Sequence, residues 1–145
     1  MADHHQLSNI IWRIADLLHG LYRPPQYERV ILPMTVLRRL DCILAPTKDL
    51  NKATKYNFYN TSPLNFEKIK ASPNNLYDNL ISYIGSFSTN VRDIFERLNF
   101  KNEILKMHDA KILYLVIAKF CDVDLSLDNV DNITMGALFD ESGYY

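Results

Sequence analysis

Glycine is scarce in this chain. It occurs four times in 145 residues (Gly20, Gly85, Gly136, Gly143), and no two are spaced as G-x-G. A phosphate cradle needs backbone N–H groups free to approach the ligand, and isolated glycines do not build one. Cysteine is scarcer still. Cys42 and Cys121 form no C-x-x-C, and His4, His5, His19 and His108 show no H-x-x-x-H, so no zinc site is expected. There is no G-x-S-x-G, and neither cysteine falls on a polar helical face, so no activated nucleophile is expected. Period-two alternation is nearly absent. The longest apolar run, 112–118, falls far short of the roughly 20 residues of a membrane span. The polar start Met1-Ala2-Asp3-His4-His5-Gln6 lacks the apolar core of a secretory signal. Reduced thiols in a soluble, cytoplasmic protein are therefore expected.

An excess of one charge is also missing. The net charge is −1, which excludes a polybasic protein that holds nucleic acid by bulk electrostatics. The distribution is uneven: +3 over residues 1–58, +1 over 59–107 and −5 over 108–145. An anionic partner should prefer the front of the chain. The chain is rich in apolar and aromatic residues, with 48% hydrophobic positions, nine Tyr and seven Phe. That is the composition of one globular domain, not of a disordered segment.

Helical periodicity dominates. Ile10, Ile14, Leu17, Leu18 and Leu21 mark a helix over about 7–19, with Gly20 placed as a left-handed C-terminal cap. After Tyr22-Arg23-Pro24-Pro25, a second helix is expected over about 26–45, bent or broken at Pro33 and stopped by Pro46. Residues 47–57 resemble a short polar helix, and 58–72 a long loop. Ser72-Pro73 opens a helix bearing Leu76, Leu80, Ile84 and Phe87; Ser88 caps one bearing Val91, Ile94, Phe95 and Leu98. Residues 101–107 give one or two turns more. The 109–120 stretch is apolar almost all round and should be central and covered. Ser126 caps a turn through Asn129, and Asn132 caps a last helix through Phe139. The expected fold is all-α, an irregular bundle of roughly seven helices in a single domain spanning 1–145.

Few constellations suggest chemistry. Asp122-x-Asp124-x-Ser126 imitates the start of a calcium loop, but Leu127 stands where glycine is needed and Ile133 where the bidentate acid is needed. Basic residues are more informative. Arg29, Arg38 and Arg39 lie on the second helix, with Arg29 and Arg39 only loosely on one side, about 80° apart. Lys48, Lys52 and Lys55 add a row at four and three spacing, the best candidate for a stripe along a DNA backbone. Against this, Arg38 and Asp41, like Arg13 and Asp16, are three apart and suited to intramolecular pairing. The aromatics Tyr22, Tyr27, Tyr56, Phe58 and Tyr59 suit packing of the long loop better than base stacking.

A larger pattern runs through these residues. It begins with Ile11-Trp12-Arg13-Ile14-Ala15-Asp16-Leu17-Leu18, then Tyr22-Arg23-Pro24-x-x-Tyr27. Arg29-Val30-Ile31-Leu32-Pro33-x-x-Val36-Leu37-Arg38-Arg39-Leu40-Asp41 follows, then Tyr59-Asn60-Thr61-Ser62. Further along come Leu80-Ile81-Ser82-Tyr83-Ile84, Phe87-Ser88-x-Asn90-Val91-Arg92, Ile94-Phe95, and Asp124-Leu125 through Met135-Gly136-x-x-Phe139. In this order the blocks, covering about 7–140, resemble the N-terminal helical domain of the M (modification) subunit of type I restriction-modification DNA methyltransferases. The resemblance implies membership of an adenine-N6 methyltransferase that uses S-adenosylmethionine. Two M subunits and one S subunit form that enzyme, and R subunits add cleavage. For this domain it implies DNA clamping and subunit assembly, with DNA, the M subunit's catalytic domain, S and R as partners and no membrane. The family's N-P-P-[YF] motif has no counterpart here: the one proline pair reads Arg23-Pro24-Pro25-Gln26. In that motif the Asn accepts from the target amine and the aromatic stacks on the flipped base, and Arg and Gln do neither. No catalytic, cofactor-binding or metal residue is therefore expected in this chain, and no methyl transfer by it alone. Arg29, Arg38, Arg39, Lys48, Lys52 and Lys55 stand as candidates for DNA or partner contact. A purely protein-binding helical module is the alternative.

Overall fold

A computed structural model describes residues 4–48, 57–126 and 130, with side chains described for 8–46, 57–126 and 130. These residues form seven α-helices and no strand: α1 (His4–Leu18), α2 (Glu28–Lys48), α3 (Phe66–Lys70), α4 (Leu76–Gly85), α5 (Thr89–Arg97), α6 (Phe100–Asp109) and α7 (Leu113–Cys121). The all-α bundle expected from periodicity is the fold observed.

In α1, Ile11, Ile14, Ala15 and Leu18 are buried at three- and four-residue spacing, while Trp12 and Arg13 on the opposite side face solvent. Each such aliphatic side chain contributes roughly 1.5–3 kcal/mol by leaving water. The helix ends without a left-handed glycine. No described glycine has positive φ, and the N–H groups of Leu21 and Tyr22 close back on the Leu18 carbonyl instead. A 3₁₀ turn at Pro24–Gln26 leads into α2.

Helix α2 does not break at Pro33, nor does it stop at Pro46. Proline removes one donor, so the Arg29 carbonyl loses its in-helix partner; two residues on, the Thr35 hydroxyl donates to the Ile31 carbonyl at 2.6 Å. From Val30 to Asp41 nearly every side chain of α2 is buried or half-buried, whatever its polarity. The enveloped helix of this bundle is α2. Helix α7 packs against α1, α2, α3 and α6, as a central helix should, but only on one side. Leu113, Val116, Ile117 and Phe120 are buried, whereas Tyr114 and Leu115 are exposed, so the expectation that this stretch is covered all round is corrected. Its start is also later than expected, because α6 runs on to Asp109 and a turn intervenes.

The 58–72 stretch contains the short helix α3, capped by the Asn65 Oδ1, which accepts from the Lys68 N–H at 2.8 Å. The Tyr59-Asn60-Thr61-Ser62 block lies along the α4–α5 junction as a one-bridge antiparallel contact between Asn60 and Phe87. Ser88 stands at the N-terminus of α5, as its spacing suggested, but its hydroxyl makes no capping bond. It donates to Asn90 Oδ1 at 2.7 Å and accepts from the Tyr59 N–H at 3.2 Å, joining loop to helix. The expected helix at 47–57, and the turn and last helix expected beyond Ser126, lie outside the described residues, Val130 excepted.

Candidate nucleic-acid interface

The residues proposed for DNA contact part company in the structure. Arg29 is exposed on the first turns of α2. Arg38 and Arg39 are buried, so neither lies on a surface where DNA could meet it. The side chain of Lys48, and Lys52 and Lys55 altogether, lie outside the described residues. Among the described residues, Arg29 alone of the six is exposed.

Arg38 and Arg39 turn inward for a stated reason: the chain end that follows α7 offers them acceptors. Arg38 Nε donates to the Val123 carbonyl at 3.0 Å and Nη2 to the Cys121 carbonyl at 3.4 Å. Arg39 Nη1 reaches the Leu125, Ser126 and Val130 carbonyls at 2.7, 3.1 and 2.6 Å. The Cys121 carbonyl, at the end of α7, has no intrahelical donor and carries partial negative charge, and the others are main-chain acceptors of the segment after the helix, which a buried cation satisfies. Asp41 balances Arg38 at 3.1 Å, the three-residue pairing expected from sequence. The same carboxylate accepts from the Tyr83 hydroxyl at 2.6 Å and from the Phe66 N–H at 3.3 Å. The Arg38 guanidinium also stacks over the Phe66 ring, 5.3 Å from its centroid. Arg38-Arg39-x-Asp41 thus ties α2 to α3, α4 and the C-terminal end of α7. Burial, followed by the neighbouring Asp41 charge, pushes the Tyr83 hydroxyl well above its ordinary range.

A second polar knot holds the other side of the bundle. The Tyr22 hydroxyl donates to Glu103 Oε1 at 2.8 Å, with Lys106 3.7 Å from the same oxygen and 5.7 Å from the centre of the Tyr22 ring. Burial is the main reason the Tyr22 hydroxyl is pushed up, and its bond to Glu103 adds to it. Of the aromatic cluster, Tyr22 and Tyr27 are buried and Phe58 is half-buried, while Tyr59 is exposed; Tyr56 is outside the described residues. The two cysteines form no disulfide, and burial pushes both thiols up, Cys121 from 9.0 to about 11. At neutral pH they are poor nucleophiles. Among the described residues no group of three or more His, Cys, Asp or Glu could hold a metal, and no helix is long and apolar enough to cross a membrane.

The family model for the HsdM N-terminal domain matches residues 7–120. The chain belongs to that family, the N-terminal domain of the type I restriction-modification M subunit. The match runs from α1 to the last turn of α7, so the HsdM N-terminal domain is this bundle, and Arg38, Arg39 and Asp41 sit inside it. The carbonyls that the two arginines collect, at residues 121–130, lie just past its end. No curated protein and no solved structure matches the chain.

The exposed apolar residues Trp12, Tyr114 and Leu115 lie on the two packed helices α1 and α7. Two positions gave no sequence signal as surface features. One is Lys111, a lysine in the left-handed region (φ 63°), which the structure sets between α6 and α7. The other is the stack of Tyr77 on His108, with ring centroids 4.8 Å apart, which joins α4 to α6 across 31 residues.

Proposed function

We propose that this domain contributes DNA clamping and subunit assembly to a site-specific adenine-N6 methyltransferase, within a complex of M, S and, for cleavage, R subunits, in the cytoplasm. Family membership carries the reading. The chain supplies recognition and assembly and not the chemistry. Its four isolated glycines and lone Arg23-Pro24-Pro25-Gln26 do not fit an S-adenosylmethionine site or the N-P-P-[YF] grip on the reacting amine, so the cofactor and the chemistry belong with the M subunit's catalytic domain.

The test is complementation. The catalytic portion of the M subunit is expressed with an S subunit, and transfer of labelled methyl to duplex DNA is measured with and without this chain. Restored transfer supports the reading; a folded chain that neither restores transfer nor joins the complex overturns it. Reversing Lys48, Lys52 and Lys55 to Glu in the assembled enzyme then asks whether DNA is touched. Weakened binding with a shallower salt dependence is expected, and an unchanged affinity and salt slope refutes contact by that row.

One observation favours the second reading, a protein-binding module without DNA contact. Two of the six candidate cations are committed to the chain's own carbonyls, and apolar Trp12, Tyr114 and Leu115 are exposed. Retained assembly with wild-type DNA affinity in the Lys48, Lys52, Lys55 triple reversal would select it.

A further inference from the structure

A cleft of about 370 Å³ lies between the start of α4 and the α6–α7 junction. One wall is Pro73–Asp78; the other is His108, Lys111, Leu113 and Tyr114. The volume is at the low end of small-ligand sites, roughly 300–1,000 Å³. The walls meet where Tyr77 stacks on His108 at an interplanar angle of 32°, and Tyr114 lines the cleft while remaining 39% exposed. Around these rings stand two amides (Asn74, Asn75), a carboxylate (Asp78) and an ammonium (Lys111) whose side chains make no hydrogen bond or ion pair with another described residue.

Lys111 is the odd member. The N–H of Lys111 closes on the His108 carbonyl and that of Ile112 on the Met107 carbonyl, both at 3.0 Å, which is the left-handed closure that glycine or asparagine makes most easily. The chain uses asparagine for the same job at the end of α5, where Asn99 has φ 53°. At the cleft it uses lysine, the one left-handed position that sets a cation beside aromatic rings.

We propose that this cleft binds one unpaired nucleotide, with its base against the Tyr77, His108 and Tyr114 rings and its phosphate at Lys111. Aromatic faces accept any base, and an ammonium serves as a point charge for phosphate. The amides and the Asp78 carboxylate suit the hydrogen-bonding edge of a base with an exocyclic amine. The assignment rests on the proposed nucleic-acid contact only for its place in the enzyme. The nucleotide could arrive free or as part of a strand, and the probes separate the two.

The experiment titrates the full 145-residue chain with deoxyadenosine monophosphate, with a short single-stranded oligonucleotide and with the corresponding duplex. Backbone amide shifts at His108, Lys111 and Tyr114 report the site, and anisotropy of a labelled oligonucleotide reports affinity. Shifts at these three positions with the single strand are expected. Tyr114→Ala, at an exposed position, should weaken strand binding roughly five- to a hundredfold, and Lys111→Gly, which preserves the turn, should reduce the salt slope by about one. Binding of the mononucleotide but not the strand assigns the site to a free nucleotide. Absence of shifts with both, or binding indifferent to Tyr114→Ala and Lys111→Gly together, overturns the proposal. Failed complementation with the cleft shifts intact would remove the clamping role alone; absent shifts with complementation intact would remove the cleft alone.

Discussion

The Arg38–Asp41 hub and the Tyr77–His108 cleft use the same kinds of side chain to opposite ends. In the hub, the Arg38 guanidinium, a carboxylate, a tyrosine hydroxyl and a phenylalanine ring meet one another, the Arg39 guanidinium takes main-chain carbonyls, and each of these donors finds an acceptor within the chain. In the cleft, an ammonium, a carboxylate and two amides surround aromatic rings and meet no partner of their own. The hub lies in a dense run of charged and apolar residues and invites a functional reading, yet its charges serve packing. The cleft is assembled from two stretches, 73–78 and 108–114, and shows nothing in sequence. Density of charged residues along a helix is thus a poor guide to where a molecule meets its partners, because such charges can be taken up by acceptors of the chain itself.

The comparison breaks most visibly at Asp41. Asp41→Ala would strip the buried Arg38 guanidinium of its carboxylate and remove the 2.6 Å bond of the Tyr83 hydroxyl, and stripping one partner from a buried pair costs about 3–5 kcal/mol. Urea denaturation should show a lower midpoint with an unchanged slope. A loss below about 1 kcal/mol would mean the hub is dispensable. Next is Tyr22→Phe, which leaves buried Glu103 with only Lys106 beside it and should cost about 1–3 kcal/mol by the same measurement.

How the sequence foretold these two regions differs in kind. Most of the apolar faces of α1, α4 and α5 was legible because burial repeats with the helical period, although Leu21 and Ile94, counted on those faces from spacing, are exposed; Asp41 three residues after Arg38 was legible as a local pair. The acceptors of Arg39 were not, because they are main-chain carbonyls 86–91 residues away, and a carbonyl carries no signature of residue type. Tyr22 and Glu103, 81 apart, were hidden by distance alone. Helix α3 is five residues long, too short for periodicity to register, and it was folded into a loop. The apolar run at 109–120 hid a helix end and a turn, since Lys111 is not the residue that usually announces a left-handed cap. Of the candidate interface, Arg29 is exposed and Arg38 and Arg39 are buried, while the side chains of Lys48, Lys52 and Lys55 lie outside the described residues.

The alkaline limb of stability separates the buried side of the comparison from the exposed one. Above about pH 9 the unfolded chain releases the Cys121 proton, while the folded chain keeps it until about pH 11. The folded state then binds more protons than the unfolded, so stability falls as pH rises through that window and is level below it. Cys42, and at higher pH Tyr22 and Tyr83, act in the same direction. Melting temperature should therefore decline between pH 9 and 11, and Cys121→Ser should flatten the first part of the decline. An unchanged profile in that variant would show that Cys121 is not held protonated by its surroundings. Thiol labelling at pH 8 should accordingly be slow in the folded chain and fast in urea.

The smallest effect bears on the cleft itself and runs the other way. Lys111→Gly removes a side chain from a left-handed backbone, a conformation that costs a non-glycine residue roughly 1–2 kcal/mol, and gives back part of this as greater freedom of the unfolded chain. A net gain of about 0.5–1 kcal/mol is expected, seen as a rise of a few degrees in melting temperature. Asn99→Gly should gain less, since asparagine tolerates the same conformation better. If the two gains are equal, lysine is no more strained than asparagine and its presence at the cleft needs no functional reason. If Lys111→Gly alone stabilises the chain while weakening nucleotide binding, the strain and the binding belong to the same residue.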